Sequence, residues 1–250
     1  MIQAVDRAVR VLAILQGARS VPLSDLAARL GLAPSTVHGI VKTLQANGMV
    51  VQEAGSARYR LGPVVLRLGN AYLGSLELRS RAFAWSAELA RRTGCAVRAG
   101  VPLPGEVMIV HHEPRPDGSR QMSEVGFVVP AHATALGKAV LAFTPDADPG
   151  ELRSMTDATV TDSETLRAQL DEVRRDAVAA EEEEAVLGEC GLAAPIFDTA
   201  DAVAGAIGVV VPVADWPVAD AVRTAVAETA RTISRELGAS RWPVPVGPVN

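Results

Sequence analysis

Lysine, cysteine, aromatic residues and long apolar runs are all scarce in this chain of 250 residues. The only two lysines, Lys42 and Lys138, stand beside 22 arginines, a bias that we attribute to a GC-rich coding sequence. Aromatic residues make up 4% of the chain, so aliphatic side chains must form the core. With 48% hydrophobic and 21% charged residues, the composition is typical of a folded globular protein rather than a disordered or fibrous one.

The missing features also exclude several classes of protein. Cys95 and Cys190 are lone and far apart, which argues against a zinc ribbon and against a disulfide framework. The longest uncharged apolar stretch, Ala202 to Ala214, is shorter than the roughly 20 residues that cross a bilayer. The start of the chain carries an acid early and lacks the basic stub and apolar run of a signal peptide. We therefore expect a cytoplasmic protein with no membrane partner.

Charge is divided unevenly along the chain, although the formal net charge is -5. Residues 1–62 hold seven bases and three acids, a net charge of +4, whereas the remainder holds 17 bases and 26 acids, a net charge of -9. A basic head on an acidic body predicts that only the head meets a polyanion.

The head has the pattern of a helix-turn-helix. Ser24 is a plausible N-cap for the helix LSDLAARL, Gly31 can end that helix in the left-handed conformation, and Pro34 can begin the next one. Two short helices joined by a tight glycine turn are typical of the helix-turn-helix. An earlier helix is predicted from four apolar residues at helical spacing, Val5, Ala8, Val9 and Leu12.

The helix that begins at Pro34 has a buried stripe and an opposite face that contains no acid. The stripe is Val37, Ile40, Val41 and Leu44, at i, i+3, i+4 and i+7. The opposite face and its margins hold Ser35, Thr36, His38, Gly39, Lys42 and Thr43. Such a face can enter a DNA major groove about 12 Å wide, where hydroxyls reach phosphates or base edges and Lys42 neutralises a phosphate.

A basic hairpin follows in the stretch VVQEAGSARYRL. Two extended runs flank a Gly/Ser turn, and the alternation places Arg58 and Arg60 on the outer face while Tyr59 and Leu61 face inward. A basic hairpin beside a recognition helix is typical of a wing that contacts the backbone or minor groove of DNA. We include Ser24, Arg58 and Arg60 among the candidate DNA-binding residues. The alternative, a small helical domain that happens to have an acid-free face, accounts less well for the order of these elements.

These motifs resemble the winged head of IclR (isocitrate-lyase-regulator) type transcription factors. The likeness rests on LSDLAARLGLAPSTVHGIVKTLQANGMV and RYRLGP, continues in PAHATALGKAVLAF and GLAAPIFD, and covers about residues 3–240. Most members carry arginine where this chain has Gly39, which weakens the expected contact with phosphate. Within the family, VHGIVKTLQ and IVHHEPRPDGSRQMSEVG are similar to regulators of glycerol operons in high-GC bacteria.

The body is predicted to be α+β with a largely antiparallel sheet, because strand pairs followed by helices replace strict alternation. We expect strands at AVRAGVPL, EVMIVHHE, EVGFVVP, GLAAPIFD and AVAGAIGVVVPV, and helices at 79–92 and ATALGKAVLAF. Thr161 and Glu164 predict a capping box for a helix reaching about Ala180, and Pro217 opens a last helix that ends at Gly238. The inward side of that helix holds Val218, Val222, Ala225, Thr229 and Ile233.

The predicted organisation is a winged helix-turn-helix DNA-binding domain at 1–62, a linker helix at 63–78, an effector-binding domain at 79–240 and a loose tail at 241–250. The resemblance implies a GAF-like sensor fold and self-association into a dimer or a dimer of dimers. It also implies an effector pocket lined by Thr134, Ala135, Leu136, Glu181, Glu189, Gly191, Gly208 and Val210. Glycerol or glycerol 3-phosphate is the expected effector, by resemblance to the subgroup only.

Several other residue patterns invite a chemical interpretation. The loop from His132 to Lys138 lacks the GxxxxGK[ST] of a nucleotide-binding loop, so Lys138 is either at the pocket floor or an ordinary surface residue. His111 and His112 would point to opposite faces of a strand, which disfavours a shared metal ion. Glu181 to Glu184 favours a solvated acidic turn over a carboxylate cage. Cys190 is either an inert buried thiol or a redox sensor.

We expect a transcription factor that binds a near-palindromic double-stranded DNA operator and a small-molecule effector, with no cofactor and no metal. Two alternatives remain. An architectural DNA protein that ignores metabolites would not need roughly 160 further residues with a sensor-like plan. An enzyme with a vestigial DNA-binding head would need a nucleophile and base or a pair of catalytic carboxylates, and no such arrangement is apparent.

Overall fold

The structure is a computed structural model that describes residues 2–243. The chain divides into two compact units, residues 1–75 and 76–250, and each has its own core. No helix in the described part of the chain is both long and apolar enough to cross a membrane. The mixture of helices with antiparallel strands confirms the predicted α+β class.

The first unit is a small helical domain with a three-stranded sheet in the order β1-β3-β2. Its elements in chain order are α1 (Gln3–Gln16), β1 (Val21–Pro22), α2 (Leu23–Leu30), α3 (Pro34–Ala46), β2 (Val50–Gln52), β3 (Arg58–Leu61) and α4 (Pro63–Ser75). The predicted hairpin is confirmed as β2 and β3, with a turn at Gly55 whose φ of 73° suits glycine. This unit is the predicted helix-turn-helix followed by a wing.

The core of the first unit is aliphatic, as the shortage of aromatic residues predicts. Its buried members are Val11, Leu15, Val21, Leu26, Ala27, Leu30, Val37, Val41, Val50 and Tyr59. The predicted stripe on α3 is confirmed, with Val37 and Val41 buried and Ile40 and Leu44 packed partly against the core. The stripe predicted on α1 is wrong at Val5 and Val9, which are 57% and 59% exposed.

The error on α1 is a rotation of the buried face. Ala8, Val11, Leu12 and Leu15 stand at i, i+3, i+4 and i+7, and Val11 and Leu15 are the members that the core fully buries. The predicted set shares Ala8 and Leu12 with this face, whereas its other two members, Val5 and Val9, lie on the solvent side of α1.

The predicted end of α2 is confirmed, whereas its predicted start is wrong. Gly31 has a φ of 65° and ends the helix, and Pro34 lies in the first turn of α3, as predicted. Ser24 is not the N-cap, because α2 begins at Leu23 after Pro22. The reason is β1, which pairs with β3 through Pro22 and carries the extended backbone up to the helix. The Ser24 hydroxyl donates instead to Asp25 Oδ1 at 3.1 Å.

The second unit is built on one antiparallel sheet of six strands in the order β6-β5-β4-β9-β8-β7. Its elements are α5 (Glu77–Thr93), β4 (Ala96–Leu103), β5 (Glu106–Glu113), β6 (Val128–Pro130), α6 (Ala135–Phe143), α7 (Ser163–Asp176), β7 (Ala179–Glu182), β8 (Glu189–Phe197), β9 (Val203–Pro212), a 3-10 turn (Val213–Asp215) and α8 (Asp220–Glu236). Helices α5 and α8 cover one face of the sheet, whereas α6 covers the other and packs against α7. The central position of β9 explains why it is apolar on both sides, as predicted.

Three predicted elements of the second unit have different limits in the structure. Strand β6 covers Val128–Pro130 rather than the whole of EVGFVVP. The N-cap of α7 is Asp162 rather than Thr161, because the Asp162 carboxylate accepts the N–H of Thr165 at 2.8 Å. The same helix ends at Asp176 rather than near Ala180, since Ala177 turns left-handed and the next residues pair with β8 as β7.

The last helix begins later than Pro217 predicts. Residues before Asp220 are extended, so α8 starts at Asp220, and it ends before Gly238, whose φ is 91°. Its buried side includes the predicted Ala225, Thr229 and Ile233, whereas Val218 and Val222 are half-buried. Of the predicted loose tail, residues 244–250 lie outside the described part. Within the rest, Trp242 Nε1 donates to the carbonyl of Pro195 at 3.1 Å.

Candidate nucleic-acid interface and effector cavity

The outer face of α3 is exposed and contains no acid. All six predicted residues lie there, namely Ser35, Thr36, His38, Gly39, Lys42 and Thr43. In the described part of the chain Lys42 makes no ion pair, so its ammonium group is available to an external anion. The Thr43 hydroxyl donates to the carbonyl of Gly39 at 3.0 Å, which leaves its oxygen able to accept a further hydrogen bond.

Gly39 lies inside α3 with helical backbone geometry. A Cβ atom at this position would meet nothing within 4 Å in the described part of the chain. Neither a crowded neighbour nor a positive φ therefore requires glycine here, so the fold of the first unit does not explain the choice of residue.

The wing presents two arginines on one side of β3, because residues two apart in a strand share a face. Arg58 and Arg60 are exposed, while Tyr59 between them is buried. Arg58 is also held in place, since its Nε and Nη2 donate to Ser20 Oγ at 3.0 Å and to the Ser20 carbonyl at 2.7 Å. Ser24 is exposed in the first turn of α2. Hydroxyl and basic side chains are the kinds of group that contact phosphate oxygens in protein–DNA complexes, and this unit exposes both kinds.

The second unit contains a cavity of about 570 Å³ between the sheet and the start of α6. All eight predicted pocket residues line it: Thr134, Ala135, Leu136, Glu181, Glu189, Gly191, Gly208 and Val210. The strand register explains how residues far apart in the chain converge. Glu181 faces Gly191, which faces Val210 on β9, and Gly208 pairs with Arg98 on β4.

The amino-terminal end of α6 forms one wall of the cavity. Thr134 is the N-cap, since its hydroxyl accepts the N–H of Gly137 at 3.2 Å and donates to the Pro130 carbonyl at 2.8 Å. The N–H groups of Ala135 and Leu136 belong to the first turn, which has no partners within its own helix. A helix start of this kind can bind an oxygen atom of a ligand.

Sequence reasoning identified Glu189 as a cavity residue but missed three polar residues that cluster with it, Arg98, His112 and Glu124. Arg98 Nη2 lies 2.6 Å from Glu124 Oε1 and 3.2 Å from Glu189 Oε2. The backbone N–H of Glu124 donates to His112 Nδ1 at 3.2 Å. The register of the predicted hairpin pairs Arg98 with His112. The alternation of β4 and β5 could therefore have predicted that these two side chains lie on the same face of the sheet. Glu124 lies in an irregular loop, and no periodicity places it.

Glu181 is a buried carboxyl group in the cavity wall. Burial raises its pKa from 4.5 to about 7, and the neighbouring Glu184 and Glu189 act in the same direction. The N–H of Glu184, which donates to Glu181 Oε2 at 3.1 Å, and the more distant Lys138 oppose the shift. Gly191 makes room for this carboxyl group, since a Cβ there would lie 3.0 Å from Glu181 Oε1.

The predicted solvated acidic turn at residues 181–184 is wrong. Glu181 and Glu184 are buried, and the Glu184 carboxylate forms an ion pair with Lys138 of α6. Lys138 is 1% exposed, so it is not a surface residue, and it lies behind the main cavity rather than in its floor. Because Glu184 belongs to a turn and Lys138 to a helix, only the tertiary fold brings them together.

The histidines and cysteines occupy separate environments. His112 lines the cavity, while His111 lies on the other face of β5 with its ring 5.5 Å from that of Phe83, as the strand alternation predicts. The described residues contain no group of three or more His, Cys, Asp or Glu side chains arranged to hold a metal ion. Cys190 is fully buried, and burial raises the pKa of its thiol, which favours an inert thiol over a redox sensor.

Two family models match the chain in the order of its two units. Residues 4–54 match the IclR helix-turn-helix domain, and residues 70–235 match the bacterial transcriptional regulator IclR C-terminal domain. The second match alone covers more than half of the chain and includes every residue that lines the cavity.

Curated relatives and solved structures agree with these models. The chain is 44% identical to a glycerol operon regulatory protein of Streptomyces griseus and 42% identical to that of Streptomyces coelicolor, each over 96% of this chain and 98% of the relative. It resembles an IclR-type transcriptional regulator of Silicibacter sp. TM1040, with a TM-score of 0.81 at 28% identity over 96% and 98% of the two chains. It also resembles an IclR homolog of Microbacterium hydrocarbonoxydans complexed with 4-hydroxybenzoate, with a TM-score of 0.80 at 25% identity over 95% and 100% of the chains.

Proposed function

The chain belongs to the IclR family of bacterial transcriptional regulators, and from that premise we propose that it controls a glycerol-utilisation operon in response to a small molecule. The effector is glycerol or glycerol 3-phosphate. The relatives at 44% and 42% identity are named for the glycerol operon, and their similarity to this chain runs through both units. Its relatives are regulators, so we assign no catalytic activity.

The DNA-binding part of the proposal rests on one observation, the exposed acid-free face of α3 beside two exposed arginines of the wing. We assign residues 1–62 to DNA binding, 63–78 to the linker, 79–240 to effector binding and 241–250 to a tail. The residues proposed to contact DNA are Ser24, Ser35, Thr36, His38, Gly39, Lys42, Thr43, Arg58 and Arg60. We further propose that the protein acts in the cytoplasm, where a bacterial regulator meets its operator DNA.

The effector part rests on the cavity of about 570 Å³ that all eight predicted residues line. Cavities of this size are typical of sites for small molecules. The proposed contacts are Thr134, Ala135, Leu136, Glu181, Glu189, Gly191, Gly208 and Val210. An effector changes DNA affinity only if it binds one arrangement of the DNA-binding units more tightly than another.

We further propose that the chain acts as a dimer or a dimer of dimers. A two-fold symmetric protein binds half-sites separated by whole helical turns, which produces a near-palindromic operator. Footprinting of the DNA upstream of the neighbouring genes tests the whole proposal. A protected palindrome whose occupancy changes with glycerol or glycerol 3-phosphate supports it. A footprint that responds to neither favours the architectural alternative, and no footprint at all rejects the regulator.

Lys42 provides a quantitative test of the α3 face. Lys42→Ala removes one proposed phosphate contact from each bound subunit, so it should weaken binding to operator and non-specific DNA alike and lower the salt slope by about one per subunit, about two for a dimer. Mobility-shift titrations at several salt concentrations measure both effects. The matched control is Arg167→Ala, which removes one exposed positive charge from α7 of the second unit and should leave the slope unchanged. An unaltered slope for Lys42→Ala would show that Lys42 does not contact a phosphate.

A further inference from the structure

The cavity contains charged side chains of both signs, and its basic groups already have acidic partners. The charged residues that line it are Arg98, Arg115, Glu124, Glu181 and Glu189. Arg98 has two carboxylates within 3.2 Å, and Arg115 Nε lies 3.8 Å from Asp117 Oδ2 outside the cavity. Two guanidinium groups therefore face three carboxyl groups, so an anion that entered would meet at least as much negative as positive charge.

The hydrogen-bonding groups of the cavity include buried donors without partners. Arg98 Nε and Arg115 Nε are buried and make no hydrogen bond in the described part of the chain. His112 Nδ1 accepts the N–H of Glu124, so in the neutral ring the proton lies on Nε2, which is also buried and unpartnered. The side chain of His112 is only 4% exposed. All three nitrogen atoms are closed off from the cavity space, so a ligand in the cavity cannot supply their missing partners, and the selectivity of the site rests on its charged and exposed polar groups.

We infer that the effector site takes an uncharged polyol rather than a phosphorylated or carboxylated molecule. This inference rests on the proposed function and selects between its two candidate effectors. A hydroxyl group both donates and accepts, so it can accept from the free N–H groups at the start of α6 and also donate to the carboxylates of Glu124 and Glu189. An ammonium ion has no acceptor for those N–H groups of α6. A phosphate has no donor for the carboxylates when fully ionised and is repelled by them.

The site is built to keep Arg98 neutralised. Glu124 and Glu189 come from a loop and from β8, yet both carboxylates approach the same Nη2 atom of Arg98. Glu124 is fixed in turn by its backbone N–H on His112. A cavity that bound anions through Arg98 would not need two carboxylates on the same guanidinium group. Removal of one of them should therefore convert the site towards anion binding.

Isothermal titration calorimetry of the full chain near pH 7.5 tests the inference with glycerol, erythritol and glycerol 3-phosphate as probes. We expect at least one neutral polyol to bind about tenfold or more tighter than glycerol 3-phosphate. In Glu189→Gln, glycerol 3-phosphate should bind about tenfold tighter than in the unaltered chain, because Arg98 keeps only one carboxylate partner. Glu182→Gln is the control, since Glu182 is an exposed carboxylate of β7 outside the cavity and the net charge changes equally.

Three results would overturn the inference. The first is that the unaltered chain binds glycerol 3-phosphate more tightly than both polyols, and the second is that it binds neither polyol. The third is that Glu189→Gln and Glu182→Gln change the affinity for glycerol 3-phosphate equally. The footprint separates this failure from failure of the proposed function. If operator occupancy responds to glycerol 3-phosphate alone, the regulator remains and the uncharged ligand class is wrong. If it responds to none of the probes, the proposed effectors are wrong as well.

Discussion

Glu181 combines burial, a place in the cavity wall and a pKa near neutrality. Its carboxyl group is 8% exposed, receives one backbone N–H and has two other glutamates nearby. The resulting pKa of about 7 means that the group changes its charge in the physiological range, where glutamate is ordinarily ionised. Both stability and ligand affinity should therefore depend on pH through this one residue.

The stability prediction follows from the direction of the shift. Glu181 titrates at 4.5 when unfolded and at about 7 when folded, so between these values the folded state holds the extra proton. The contribution of Glu181 to the free energy of unfolding is therefore greatest below pH 4.5. It falls by about 3 kcal/mol in total as pH rises to about 7, and it stays constant at higher pH. Thermal melts of the unaltered chain and Glu181→Gln between pH 5 and 8 measure it. Glu181→Gln should remove most of this decline. If the melting temperatures of the two proteins fall in parallel as pH rises, Glu181 is not the group responsible.

At the scale of single residues, the sequence predicts part of the cavity lining but not which charged side chains are paired and buried. Gly191, Gly208 and Val210 line the cavity as the resemblance to the family implies, and so do Glu181 and Glu189, whereas Arg98, Arg115 and Glu124 were not among the predicted residues. The ion pair of Lys138 with Glu184 joins residues 46 positions apart, and nothing in a run of four glutamates marks two of them as buried. Burial of a charge depends on a partner that only the tertiary structure supplies.

At the scale of single elements, α3 is the helix on which the proposed DNA contact depends. Its start is predicted correctly because Pro34, which follows the Gly31 turn at the end of α2, is a strong local signal. Helix α7 has no glycine or proline at its end, and β-pairing of the following residues with β8 decides where it stops. The glycine turn and the proline thus made the boundary between α2 and α3 predictable, whereas Pro217 misplaced the start of α8 and tertiary pairing decided the end of α7.

Gly39 leads to a prediction about α3. Gly39→Ala should stabilise the first unit by about 1 kcal/mol, because alanine is the better helix former and its Cβ has open space. Gly39→Arg should keep most of that gain in stability and add one cation per subunit, which steepens the salt slope of DNA binding by about one for each bound subunit. Thermal denaturation and mobility-shift titrations measure the two effects. Gly39→Ala serves as the uncharged control, and its loss of operator binding would instead mean that DNA approaches the helix backbone closely.

At the scale of the whole molecule, charge and chemistry are divided between the two units. The proposed DNA contacts all fall before residue 62, and the cavity lies between residues 96 and 212. Sequence composition predicted this division, since the head is basic and the body acidic. The order of the six strands was not predicted, because pairing of β4 with β9 joins segments about a hundred residues apart and leaves no local pattern.

The second unit should bind the effector on its own. A fragment of residues 76–250 contains every residue that lines the cavity and the core around Val107, Ala139 and Ala193. It must begin before residue 78, because Leu78 is buried close to Gly205 of β9. We expect cooperative melting and a Kd for the effector within about threefold of the full chain without DNA. Calorimetry on both proteins measures it, with a fragment from residue 79 as the less stable control. A Kd weakened more than about tenfold would mean that residues 1–75 contribute to the site.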